Sequence, residues 1–74
     1  MSGIIKRSIM IAGHRTSISV EQDFWDQLKL LALHRNISIA TMIAAIDQTR
    51  GQHNLSSAVR LHVLAALVEQ KRQS

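Results

Sequence analysis

Apolar and polar positions change period along this chain, and each change marks an expected element. From residue 15 to 20 they alternate, with Thr16, Ile18 and Val20 on one side and Arg15, Ser17 and Ser19 on the other. A period of two built from β-branched residues predicts a half-buried strand. From Glu21 the period becomes helical. Phe24, Trp25, Leu28, Leu31 and Ala32 stand at i, i+1, i+4, i+7 and i+8, one face of an amphipathic helix over about 21–35. Glu21, Asp23 and Asp26 place acids in its first turns, toward the positive end of the helix dipole. Asn36 tolerates the left-handed conformation that ends many helices. Ser38 is a good N-cap for a second helix over about 38–50, with the apolar stripe Ile39, Met42, Ile43, Ile46 and with Gly51 as terminator. Asn54 or Ser56 caps a third helix over about 56–71. Residues 63–68 are apolar nearly all round, a composition that predicts burial on more than one side.

The segment before the strand is ambiguous. Residues 8–14 have strand-like composition, and a strand is expected within 8–20. Continued backward, however, the alternation puts Ile9 and Ile11 on the face of Arg15, Ser17 and Ser19, mixing apolar with polar positions. A bulge at Gly13, or a hairpin turn around Gly13 and His14, resolves the conflict.

Size sharpens the picture. At 74 residues the chain is expected to be one domain, and a domain this small buries only about 60% of the surface its unfolded chain exposes. It has no Cys, so disulfides and thiolate metal sites are excluded. Association with a second copy is the remaining common remedy, and a homo-oligomer is expected. No apolar run approaches the roughly 18 residues of a membrane span. Lys6 and Arg7 interrupt the N-terminal segment, so no signal peptide is expected. The formal net charge is +4. Residues 1–20 carry Lys6, Arg7 and Arg15 and no acid, and the rest of the surplus lies at the far end of the third helix. An acid-free basic segment points to a polyanion such as nucleic acid, or else to a solubilising tail.

One strand leading directly into two helices is the order of the ribbon-helix-helix fold. Residues 15–50 resemble the bacterial repressors and plasmid antitoxins of the Arc/MetJ/CopG type. The segments that carry the likeness are Arg15-Thr16-Ser17-Ile18-Ser19-Val20-Glu21, Phe24-Trp25-Asp26-Gln27-Leu28, and the turn Asn36-Ile37-Ser38-Ile39-Ala40-Thr41-Met42-Ile43, with Asn where the family usually has Gly. The run from Ile11 to Ser17 resembles a largely uncharacterised bacterial subset. Two departures stand out: residues 9–14 are more than the minimal fold needs, and the C-terminal helix is extra.

The resemblance implies a mainly α fold and a homodimer in which one strand from each subunit pairs into an intersubunit ribbon. Ile18, Val20, Trp25, Leu28, Met42, Ile43 and Ile46 would form the dimer core. Family members place the ribbon in the major groove of double-stranded DNA, so Arg15, Ser17 and Ser19 become the expected base contacts. An Arg there can pair with guanine in bidentate fashion. The start of the second helix, capped by Ser38, would offer the N–H groups of Ile39 and Ala40 and the hydroxyl of Thr41 to a phosphate, contacts that fix register rather than read sequence. Lys6 and Arg7 would add phosphate attraction. The expectation is therefore a dimeric transcriptional regulator, a repressor of the bacterial cytoplasm associated with the nucleoid.

The competing reading is an antitoxin-like interaction module on the same dimer, with the apolar third helix holding a partner protein or joining dimers. If residues 8–12 fold back beside the ribbon, the sheet could become too wide for DNA, and strand count discriminates the two. A membrane-surface role is not favoured, because no basic amphipathic helix is evident. His14, His34, His53 and His62 show no i, i+3 or i, i+4 spacing, so no metal site is expected. With no Cys, no Tyr and only three scattered Gly, neither catalysis nor a cofactor is expected.

Overall fold

A computed structural model describes residues 3–73. Two antiparallel strands, β1 (Ile4–Ile11) and β2 (His14–Glu21), are followed by three helices, α1 (Gln22–His34), α2 (Ile39–Thr49) and α3 (Leu55–Gln73). The strand expected within 8–20 is thus two strands of one hairpin, and the turn lies at Ala12 and Gly13. Both turn residues have positive φ, 49° and 79°. That is the pattern of a type I′ turn, whose twist matches that of the flanking strands.

The turn resolves the side-chain conflict. Reversing the chain at residues 12 and 13 sets Ile9 opposite Thr16 and Ile11 opposite His14, on the core side of the sheet. Ile11 is buried and Ile9 is half-buried against the core. On β2 the period-two reading holds, with Ile18 and Val20 only 1% and 0% exposed.

The helices begin and end on local chemistry. Asn36 has φ 61°, the left-handed residue that closes α1, and the N–H of Ile37 returns to the carbonyl of Ala32 at 3.0 Å. Ser38 caps α2 by accepting from the N–H of Thr41 at 3.0 Å. Gly51, at φ 61°, follows the end of α2. Asn54 accepts from the N–H of Ser57 at 2.8 Å and caps α3.

The core gathers the inner side of the hairpin and one stripe from each helix. Leu28 and Leu31 come from α1, Met42, Ile43 and Ile46 from α2, and Val59 and Val63 from α3. Of the residues expected in a dimer core, all but Trp25 are buried within the single chain, and Trp25 is half-buried at the core edge. The third helix is only partly covered by its own chain. Ala58, Val59 and Val63 are buried, but Leu61, Leu64 and Val68 remain exposed. Within one chain the all-round apolar helix is covered on one side only.

Candidate nucleic-acid interface

Opposed residues of an antiparallel pair project to the same side of the sheet. The inner side here carries Ile5 with Val20, Arg7 with Ile18, and Ile9 with Thr16. The outer side carries Lys6 with Ser19, Ser8 with Ser17, and Met10 with Arg15. Arg15, Ser17 and Ser19 therefore do share the side away from the core. Arg15 and Ser17 are exposed and Ser19 is half-exposed. Lys6, Ser8, Arg15, Thr16 and Ser17 line one shallow concavity of about 430 Å³. Its charges are the Lys6 ammonium and the Arg15 guanidinium, and no carboxylate lines it.

Lys6 and Arg7 were expected to act together, yet neighbouring strand residues point to opposite sides. Lys6 is on the outer face. Arg7 points inward, where its guanidinium lies 4.5 Å from the centre of the Trp25 ring and its Nη2 donates to Gln22 Oε1 at 2.6 Å. Gln22 in turn donates to Asp26 at 2.8 Å. Arg7 Nη1 is buried and finds no protein acceptor. The guanidinium thus works as packing for Trp25 and a brace between β1 and α1.

The residues expected to hold a phosphate stand at a helix start. Ile39 and Ala40 are the first residues of α2, where backbone N–H groups lack carbonyl partners within the helix. Ser38 Oγ also donates to Thr41 Oγ1 at 2.8 Å, and the Thr41 side chain is exposed.

Two features were not visible in the sequence pattern. Ser8 and Met10 join the outer face, because the two-residue turn sets residue 8 against 17 and residue 10 against 15. Once the turn is placed at 12 and 13, that pairing follows by counting. The second feature is the treatment of the β2 edge that faces away from β1. The N–H of Ser19 donates to Ser56 Oγ at 2.9 Å, and Arg60 Nη2 donates to the Ser19 carbonyl at 3.1 Å. Arg60 Nε also meets Glu21 Oε1 at 2.9 Å, and this hydrogen bond holds the Glu21 carboxyl below the usual carboxylate range. No local spacing relates residues 19, 56 and 60, so this clasp was not legible beforehand.

Elsewhere, His62 sits between α2 and α3, with Nε2 buried and without a protein partner. Burial lowers its pKa, and the nearby Arg35 charge lowers it further. Among the described residues no three His, Asp or Glu side chains converge as a metal site would require, and no single helix is long and apolar enough to cross a membrane. A family model described as a ribbon-helix-helix domain matches residues 4–67, from the first residue of β1 into the second half of α3. No curated protein and no solved structure matches the chain.

Proposed function

The chain belongs to the ribbon-helix-helix family, whose members generally bind DNA as dimers, and from that premise we propose that it is a dimeric, sequence-specific transcriptional regulator. The observation that carries the reading is the outer face of the hairpin. It is a two-stranded, solvent-facing surface with Lys6 and Arg15 on it, and a major groove admits a two-stranded ribbon.

In this reading Arg15 makes the discriminating base contact, and Ser17 and Ser19 make less selective hydroxyl contacts. Lys6 attracts phosphate without reading sequence. Ser38, the N–H groups of Ile39 and Ala40, and the Thr41 hydroxyl hold a phosphate and set the register. Arg7, braced on Trp25 and Gln22, contributes through the fold rather than through DNA. The whole chain acts as one DNA-binding domain in the bacterial cytoplasm, at the nucleoid, repressing the genes whose operators it occupies. It does so without catalysis or cofactor.

The test is a mobility shift with genomic fragments at low salt. Wild type shifts a subset of fragments and loses affinity steeply as salt rises. Arg15→Ala keeps the weak salt-dependent binding but loses discrimination among fragments, at a cost of about 1–3 kcal/mol on the preferred site. No shift of any fragment by wild type would sink the reading.

A second role for the same dimer is supported by α3. Leu61, Leu64 and Val68 recur at i, i+3 and i+7 and are exposed at 49%, 54% and 49%. Such a stripe suits a helix from another chain, either a partner protein as in antitoxins or a second dimer.

A further inference from the structure

The third helix turns an apolar side away from its own chain. Ala58, Val59 and Val63 face the core, while Leu61, Leu64, Ala65 and Val68 stand on the opposite side of the helix at i, i+3, i+4 and i+7. All four of these are exposed. A surface helix normally turns charged and polar residues that way. Here the stripe carries no charge until Lys71 and Arg72 in the last turn. Beyond Ala66 every described residue of the helix is exposed. The residues expected in the dimer core lie between 18 and 46, so the stripe is not among them.

The pattern of the stripe fits a second copy of itself. Its spacing, 61-64-65-68, reads the same in both directions, so two copies run antiparallel match each other about one two-fold axis. Leu61 then meets Val68 of the other copy, and Leu64 meets Ala65. Large side chains lie over small ones at the centre, where Ala65 lets the two helices approach closely. Charge sets the direction. A parallel pair would hold Lys71 and Arg72 beside their own copies, whereas an antiparallel pair carries them to opposite ends and opposes the two helix dipoles. These four side chains fall well short of the roughly 20–30 residues a side that stable interfaces use, so the contact joins finished dimers reversibly.

Resting on the dimer proposed above, we propose that the outward stripe of α3 binds α3 of a chain in a second dimer, antiparallel and centred between residues 64 and 65, so that dimers join into larger assemblies.

Sedimentation of the full-length chain over a range of concentrations tests this. Wild type gives a dimer that passes reversibly into a larger species as concentration rises. Leu64→Glu puts a carboxylate into the contact, raises the dissociation constant of the larger species by more than about 10-fold and leaves the dimer. Leu64→Glu with Ala65→Lys in the same chain sets each new carboxylate against the new ammonium of the other copy. It recovers about 2- to 5-fold of the lost affinity at low salt and less at high salt. In a parallel pair the second substitution recovers nothing. Circular dichroism of each variant matches wild type, because both positions are exposed. Wild type that stays dimeric at every concentration leaves the stripe to a different protein and overturns the proposal, with the dimer intact. So does a larger species that survives Leu64→Glu, a double variant that recovers nothing, or a Leu64→Glu chain that falls to monomer, which places the stripe inside the dimer. Wild type that is monomeric throughout overturns the dimer reading, and this proposal with it.

Discussion

Ala12 holds a left-handed φ of 49° at the first position of the hairpin turn, where Asn is the favoured residue. A Cβ in that region carries a steric cost that Asn offsets by local hydrogen bonding. Ala12→Asn is therefore expected to stabilise the protein by about 0.5–1 kcal/mol, read as a higher urea midpoint with an unchanged slope. At Gly13 the surroundings are open but φ is +79°, so Gly13→Val strains the same turn and lowers the midpoint. His62 gives a pH signature. Its folded pKa is depressed by burial and by Arg35, so the unfolded chain takes up a proton that the folded chain refuses. Stability is accordingly held above the ordinary histidine range, near pH 6.5, and lost as pH falls from there toward the depressed folded value. Urea melts at pH 7 and pH 5 should show this loss in wild type and a smaller one in His62→Gln. The Glu21 carboxyl works in the lower range. Its depressed pKa adds stability above the ordinary carboxylate range that disappears as acid protonates it, and Arg60→Ala should reduce that second loss.

At the scale of elements, α1 and α2 were legible in the sequence to within a residue or so at each end, because their stops and starts are chemical. Asn36 takes the left-handed φ, and Ser38 caps α2. Ser38→Ala is expected to cost about 1 kcal/mol through the lost cap, measurable by thermal unfolding. The alternating face of β2 was legible for a similar reason, since burial on one side imposes a period of two. The strand β1 was legible only as a conflict. Its sequence Ile-Ile-Lys-Arg-Ser-Ile-Met-Ile does not alternate cleanly, and Ala-Gly is a weaker turn signal than Asn-Gly. Arg7 on the inner side, with Ile4 and Met10 on the outer side, spoils the alternation, and the Trp25 ring and Gln22 explain how a guanidinium is accommodated there. The third helix was legible as an element but not in its placement. Its contacts with β2 run through Ser56 and Arg60, far from residue 19 in sequence. Val59→Ala, at a fully buried position, should cost about 2 kcal/mol, which marks α3 as part of the core rather than an appendage.

At the scale of the whole molecule, the single chain is more open than its mass requires. Its accessible surface is 5243 Å², against about 4,600 Å² expected for a compact monomer of 8.3 kDa. Its radius of gyration is 12.1 Å, against about 11.3 Å for a compact domain of this length. The excess coincides with uncovered apolar side chains, Leu30 and Leu33 on α1 and Leu61, Leu64 and Val68 on α3. The α3 stripe among them is open to a helix of another chain. Leu61→Lys together with Leu64→Lys should leave the fold of the chain intact and remove sedimenting species larger than the dimer. The basic charge of residues 1–20 divides, with Lys6 and Arg15 on the presented face and Arg7 turned inward.

The most direct test of the account is a selection of bound duplexes from a random DNA pool, with wild type and Arg15→Ala run in parallel at the same low salt. The account predicts that wild type enriches one shared sequence and that Arg15→Ala, though still folded, does not. A pool that stays random with wild type, or the same sequence enriched by both proteins, would contradict it.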